Sequence, residues 1–448
     1  MIHGKQKTNQ NIIYLMIKIL NTKSNKFEKE LNYYLNLRKN FSVSKLKIVK
    51  KIIKDIRNNK DSSLKKYEKK FNGLKKLNSN KLLFSKNEIS KYIKNLDPNV
   101  KKAIDIAYNR ILKFHKKQKF KSYKLKDKYK NILSYRFEPI EKVGVYVPGG
   151  RSSYPSSVLM NCIPAKIAGV RKIFMTVPAL KGKVNPGVLY AAKKCGVKKI
   201  YKLGGAQAIA ALAYGTKSVV KVDKIFGPGN EYVALAKKEV FGTVGIDILA
   251  GPSEVTVIAD RYSNPSWVAS DLIAQAEHDE MSQSILVTDN ENLILNVKKF
   301  INLQLKFLPK RKIAYYSLKR FGLIIKAKNS IEISKIVNSI SPEHLEIYTK
   351  KPENYLKYIK NAGSIFLGAY SPEAIGDYLA GPNHVLPTSG TAKFSSGLSV
   401  NDFLKRQSII KITKTGIEKL GSSVISLSKY ENLHGHANSV NVRIKKRL

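Results

Sequence analysis

Glu343 and His344 stand side by side in the stretch Ser341-Pro342-Glu343-His344-Leu345-Glu346-Ile347. A carboxylate beside an imidazole is a pair that can take up and return protons near neutral pH. Ser341 is a helix-capping residue type and Pro342 suits the first helical position, so the spacing predicts a helix start with both side chains in its opening turn. The partial positive charge there would favour ionised Glu343 and disfavour protonated His344, leaving both as proton acceptors. The plainer alternative is that Glu343 complements the helix dipole while His344 packs against a sheet.

Other chemistry-bearing residues gather in the C-terminal part of the chain. Of seven histidines, His278, His344, His384, His434 and His436 lie there. Asp271, Gln275 and His278 are spaced to share one helix face, a set that could bind a metal or simply meet solvent. Ser371-Pro372-Glu373 repeats the Ser-Pro-Glu start, placing Asp377 inside a short helix and His384 in the loop that leaves it. Glu431 and His436 sit in Glu-Asn-Leu-His-Gly-His-Ala-Asn. His278, Asp377, His436 and Gln275 together would be a nitrogen and oxygen set suited to zinc. Cys162 and Cys195 are the only cysteines, which leaves no disulfide framework or thiolate zinc site beyond a single pair and fits a reducing cytoplasm. Cys162, beside a helix start, could attack an aldehyde or be a buried structural thiol.

Short β-branched runs alternating with helical patterns must position these groups. Residues 143–147, 173–177, 200–203 and 223–226 read as strands, with helices over 158–168, 188–194 and 207–214, an alternation that implies right-handed crossovers and a parallel sheet. Pro148-Gly149-Gly150, Gly204-Gly205 and Gly227-Pro228-Gly229 follow successive strands, where an open parallel sheet has its ligand crevice. Bare backbone at helix starts suggests a nucleotide, yet Gly-x-Gly-x-x-Gly is absent, with Tyr232 in its sixth position. A second set reads as strands over 246–249, 255–258, 284–288, 322–325 and 364–367 with a helix over 265–278.

The expected fold class is therefore α/β, with two Rossmann-like parallel-sheet domains suggesting an internal duplication, plus small helical N- and C-terminal segments. Residues 11–20 are read as an N-terminal helix, and the chain beyond 404 as short, polar and helix-like. The expected domains are an N-terminal helical extension over 1–40, a discontinuous α/β domain over 41–140 and 254–398, a second α/β domain over 141–253, and a C-terminal tail over 399–448.

With 448 residues the chain can bury a large core, and its 82 Lys and Arg against 32 Asp and Glu give a formal charge of +50. The joint abundance of Lys, Asn, Ile and Tyr fits an AT-biased coding sequence. Compositional drift is favoured over a nucleic-acid face, because phosphate-binding surfaces more often recruit arginine. Lysines interleaved with Phe120, Tyr123 and Tyr129 over 116–130 could track a phosphate backbone, or be a solvated basic face beside a hairpin. No run of about twenty apolar residues is present to span a membrane.

Seven motifs carry a resemblance. They are Gly-Val-Tyr-Val-Pro-Gly-Gly at 144–150, Gly-Gly-Ala-Gln-Ala-Ile-Ala-Ala-Leu-Ala-Tyr-Gly at 204–215, Gly-Pro-Gly-Asn at 227–230, Ala-Gly-Pro-Ser-Glu at 250–254, Gln-Ala-Glu-His at 275–278, Ser-Pro-Glu-His-Leu-Glu at 341–346 and Gly-Pro-Asn-His-Val-Leu-Pro-Thr at 381–388. In this order, from about residue 40 to 442, the chain resembles the histidinol dehydrogenase family. The resemblance implies oxidation of L-histidinol to L-histidine through bound L-histidinaldehyde, with two hydride transfers to NAD, as the last step of histidine biosynthesis. It implies one zinc ion per subunit on Gln275, His278, Asp377 and His436, the last reaching in from the partner subunit of a homodimer whose C-terminal tail completes the neighbouring site. His434 ranks below His436 as a ligand.

By the same resemblance His344 and Glu343 are the catalytic acid-base pair, Ser253, His384 and Glu431 contact substrate with the zinc ligands and His344, and Tyr146, Gln207 and Asn230 line the NAD groove of the 141–253 domain. The lysine load and the N-terminal extension lie outside the resemblance. The alternative from another class is a basic nucleic-acid-binding protein on a retained α/β scaffold.

Overall fold

Aliphatic and β-branched runs too short for a helix, bounded by glycine, proline or asparagine, form strands buried on both faces, the pattern of a parallel sheet covered by helices. The computed structural model describes residues 15–38, 42–73, 82–118, 120–149 and 154–444. Lys142–Tyr146 is the middle of a five-stranded sheet, with Lys172–Val177 and Lys199–Lys202 on one side and Lys224–Phe226 and Gly245–Ile246 on the other. Every pair in it is parallel.

Glu254–Ala259 holds the same place in a six-stranded parallel sheet. Gln283–Thr288 and Leu323–Lys326 flank it on one side, His344–Tyr348 and Ser364–Leu367 on the other, and Lys18–Asn21 is added beyond Leu323–Lys326. With the added edge strand Lys18–Asn21 set aside, in both sheets the first of the five remaining strands in chain order is central, the second and third lie to one side and the fourth and fifth to the other. The duplication suggested by the alternation is thus present as repeated topology.

The structure corrects four local expectations. Residues 341–347 do not start a helix: Ser330–Ile340 ends there, Ser341 caps it in the left-handed region at φ 53°, and His344–Tyr348 is a strand. A Ser-Pro pair suits the end of one helix as well as the start of another, and the alternation of His344 and Glu346 with Leu345 and Ile347 decides for strand. Of the expected N-terminal helix, residues 11–14 lie outside the described residues, while Lys18–Asn21 pairs with Leu323–Lys326 as an edge strand. The strand expected over 246–249 is only Gly245–Ile246, and it closes the five-stranded sheet. Beyond residue 404 the chain first forms the strand Leu404–Lys411, antiparallel to Ile132–Pro139, before the helices Lys414–Tyr430 and His434–Ile444. That strand is almost wholly exposed and so gives no alternation to read.

The helices of 43–115, grouped above with 254–398, lie against the five-stranded unit. Val43–Asn72, broken at Lys60, packs on Gly205–Tyr214 and Glu231–Val240, and Pro98–His115 packs on Pro155–Ala168. Ile52, Ile56, Leu64 and Tyr67 are buried with Ile209 and Leu212 in one cluster. Each such burial contributes about 1.5–3 kcal/mol, enough to fix the helix on the sheet. The Gly227 turn is held from beneath by Lys237, which is buried in an ion pair with Asp247 and donates to the carbonyl oxygens of Gly227 at 3.1 Å and Ile248 at 2.9 Å. Asp247 in turn accepts from the Gly227 N–H at 2.7 Å.

Candidate active site

Period two along His344–Tyr348 turns Leu345 and Ile347 into one apolar layer and His344 and Glu346 to the other face. Helix Pro265–Ala276 runs back across that second face and brings Asp271 to Glu346 and Gln275 to the neighbourhood of Glu254 and Glu373. Four helical residues rise about 6 Å and two strand residues about 6.6 Å, so the Asp271 to Gln275 interval matches Glu346 to His344. Helix Glu373–Tyr378 lies over the same face, and its first N–H donates to Glu346 Oε1 at 2.5 Å. A Cβ on Gly376 would come within 2.5 Å of the Phe366 ring, so glycine there allows the helix to sit close. The site thus lies toward the amino ends of its central strands, whereas the glycine turns mark the carboxyl ends of the five-stranded sheet.

His344 is 4% exposed. Its Nδ1 faces three acceptors: the Glu254 carbonyl oxygen at 3.2 Å, Glu373 Oε1 at 3.4 Å and Glu343 Oε2 at 3.7 Å. Nδ1 therefore carries the hydrogen, and the lone pair sits on Nε2, 3.9 Å from Asp377 Oδ1. Burial pulls the imidazole down to about 4, against the opposing pull of the Asp377 charge, so the ring is a neutral base. The neutral state expected for His344 is present, but burial and not a helix terminus produces it.

Glu343 departs from expectation. Burial foremost, and then the charge of Glu254, push its carboxyl well above the ordinary carboxylate value, although its Oε2 accepts the Glu254 N–H at 3.0 Å. No helix start favours its ionised form. Burial likewise raises Glu346 and, to about 6, Asp271, which hydrogen-bond to each other. Such a bond between two carboxyls requires a proton between them.

His278, Glu373 and Asp377 offer ligand atoms that all lie within 4.8 Å of one another. Glu373 Oε2 is buried without a hydrogen-bond partner, a costly state for a carboxylate oxygen unless a proton or cation meets it. Gln275 is fully buried beside it. With its nitrogen turned to Glu373 it donates to Oε1 at 2.8 Å and accepts the Glu254 N–H at 2.5 Å. In the opposite orientation two oxygens face each other, which a cation between them would relieve. Among the described residues Arg38 brings positive charge to this acidic group, paired with Glu254 at 3.0 Å and bonded to Gln283 Oε1 at 3.0 Å, to the Met281 carbonyl oxygen at 2.8 Å and to the Ser253 carbonyl oxygen at 3.2 Å.

Gln275, His278, Asp377, Glu343 and His344 are therefore brought together. His384 joins them through Nδ1, 2.9 Å from the Asp377 carbonyl oxygen, and Ser253 stands immediately before the strand that carries Glu254. Glu431, in the turn after Lys414–Tyr430, and His436, on His434–Ile444, are exposed, and neither belongs to the group formed by His278, Glu373 and Asp377. Tyr146 and Gln207 are 3% and 2% exposed beneath the Gly204-Gly205 turn, while Asn230 is exposed and caps Glu231–Val240. Cys162 is buried against Cys195 with its thiol pushed well above the ordinary value, which removes it as a nucleophile.

The sequence reading passed over Glu373, Glu254 and Arg38. Glu373 had a local signal, since it lies four residues before Asp377 on the same helical face. Glu254 and Arg38 had none, because their partners are distant in the chain.

The family model for histidinol dehydrogenase matches residues 37–444. A histidinol dehydrogenase of Pelagibacter ubique is 53% identical over 434 residues, covering 96% of this chain and 100% of that protein. One from Bacillus cereus is 48% identical over 397 residues, covering 89% of this chain and 92% of the relative. Among solved structures, a crystal structure of histidinol dehydrogenase from Elizabethkingia anophelis superposes with a TM-score of 0.89 at 37% identity, covering 96% of this chain and 98% of that one.

Proposed function

The chain belongs to the histidinol dehydrogenase family, and from that premise we propose that it oxidises L-histidinol to L-histidine through bound L-histidinaldehyde, in two NAD-dependent hydride transfers at the cluster around His344. The observation that carries this reading is the gathering of buried Glu343, His344, Glu346 and Glu373 in a chain of charge +50, beside an exposed His278 and a half-buried Asp377 that lie with Glu373 within ligand reach of one ion. Nitrogen and oxygen donors without thiolate suit zinc, and the orphaned Glu373 Oε2 fits a nearby cation.

Gln275, His278 and Asp377 would hold one zinc ion per subunit, with His436 from a second copy of the chain as the fourth ligand. Zinc bound there would supply a template for the substrate's imidazole and amino nitrogens and a counter-charge for the acids. His344 takes the alcohol proton at Nε2, the atom its Nδ1 hydrogen bond leaves free. Glu343 activates the water that hydrates the aldehyde, since a carboxyl whose proton affinity is raised by burial is the stronger base once ionised. Ser253 and His384 from this chain, and Glu431 with His436 from its partner, contact the substrate. NAD lies at the glycine turns, with Asn230 exposed to it and Tyr146 and Gln207 shaping the groove from beneath. A reactive aldehyde that must wait while NADH leaves and NAD returns needs an anchor independent of the cofactor, and the polar cluster is that anchor.

Exposure of both tail residues leaves them available to a second copy and so supports a homodimer with shared sites, and the free thiols Cys162 and Cys195 suit the cytoplasm. Among the described residues no helix is long and apolar enough to cross a membrane. No finding favours the nucleic-acid alternative. Subunit mixing tests the shared site. His344→Asn and His436→Ala should each be inactive alone, yet random re-pairing should restore about a quarter of wild-type activity, because half the dimers then hold one intact site of two. Recovery at background level would reject the shared site.

A further inference from the structure

The turn that opens helix Gly205–Tyr214 is already filled by the protein. Its two leading N–H groups are those that a dinucleotide-binding fold turns toward pyrophosphate. Here Gly204 N–H donates to Glu68 Oε1 at 3.2 Å and Gly205 N–H donates to Tyr146 Oη at 3.2 Å. Glu68 comes from the helix Val43–Asn72 and is fully buried. Its carboxylate also accepts from Gln207 Nε2 at 2.9 Å and from Asn72 Nδ2. Burial raises its proton affinity, and the three donors oppose that rise without reversing it, since each of these hydrogen bonds favours the ionised form. Gly204 is small for a packing reason too: a Cβ there would come within 2.7 Å of the Pro178 ring. Gly204 answers to Pro178 and Gly205 to its left-handed backbone at φ 63°, and bare approach of a phosphate is not needed to account for them.

We propose that Glu68 is a positioning residue for the cofactor: its charge replaces pyrophosphate at this helix start and holds Gln207 and Tyr146 under the turn, so that an uncharged nucleoside part of NAD rests there. The missing Gly-x-Gly-x-x-Gly follows, because an anion supplied by the chain removes the need for a phosphate cradle. Gln207 is fixed with its nitrogen toward the carboxylate, which leaves its oxygen as acceptor for a ribose hydroxyl or an amino group. The inference rests on the reading that NAD binds at these glycine turns.

The test is NADH binding to the zinc-loaded dimer, followed by nicotinamide fluorescence, for wild type, Glu68→Gln, Glu68→Ala and Asn230→Ala. Loss of a charged acceptor for three donors should weaken NADH roughly tenfold in both Glu68 variants. Sodium acetate should restore part of that loss in Glu68→Ala, where a small carboxylate can enter, and none in the isosteric Glu68→Gln. Zinc content and L-histidinol binding should stay at wild-type values. Unaltered NADH binding in Glu68→Gln, or equal weakening of NADH and histidinol, overturns the inference. If Asn230→Ala is weakened while Glu68→Gln is not, the groove reading stands and only this inference falls. Unaltered binding in both overturns the two together.

Discussion

Changing His344 to Asn is expected to lower NADH formation from L-histidinol by about 10²–10⁴-fold, the range general-base catalysis ordinarily supplies. Asn can still donate to the Glu254 carbonyl oxygen in place of Nδ1, so the strand start should keep its geometry. What disappears is Nε2, the lone pair left free because every neighbour of Nδ1 is an acceptor. Burial already keeps the wild-type ring neutral, with its pKa at about 4, so the wild type keeps its base across the stable pH range and the variant's deficit should persist throughout it. Glu343→Gln should behave differently, sparing oxidation of the alcohol and slowing oxidation of the aldehyde, because only the second step needs an activated water. NADH release measured separately from histidinol and from histidinaldehyde distinguishes them. Equal, mild losses in both variants on both substrates would reject the assigned roles.

Asp377→Asn is expected to have opposite effects on the protein with and without zinc. Asp377 contributes charge to a site where Glu373 is pushed well above the ordinary carboxyl value by burial first and by Asp377 next. Removing that charge at nearly constant shape relieves repulsion, so the metal-free protein should unfold at an equal or higher temperature. Zinc affinity should fall by at least about 10²-fold, beyond what loss of a supporting group usually costs. At fixed free zinc, a hundredfold drop in affinity removes up to about 2.7 kcal/mol of linked stabilisation. Chelator competition and thermal unfolding with and without zinc read both arms. Unchanged affinity, or a metal-free protein that melts well below wild type, would contradict the placement of Asp377 beside an ion.

Much of the architecture was legible because it is local. Short apolar runs such as 143–147 and 173–177, each ended by proline, form the strands expected of them, so much of the two sheets could be read segment by segment. His344–Tyr348 was misread because Ser341-Pro342 satisfies the rules for both ends of a helix, and only the preceding helix Ser330–Ile340 shows which end it is. Asp271 and Gln275 were legible as one face, but the helix expected over 265–278 ends at Ala276 and leaves His278 in the turn beyond it, and the facing partner of Asp271 is Glu346, which no spacing reveals. Arg38 and Glu68 were invisible for the same reason: each is a charge on a polar helix or segment until the fold buries it against Glu254 or Gly204. The exposed strand Leu404–Lys411 shows the converse, a strand made by pairing alone.

The most direct test of the central claim is stoichiometric: purified protein is given a limiting amount of L-histidinol with excess NAD and zinc, and NADH and histidine are counted at completion. The account predicts two NADH for each histidine, no free aldehyde, and loss of both products when zinc is stripped. One NADH for each histidinol consumed, with aldehyde released into solution, or full turnover in the stripped protein, would contradict it.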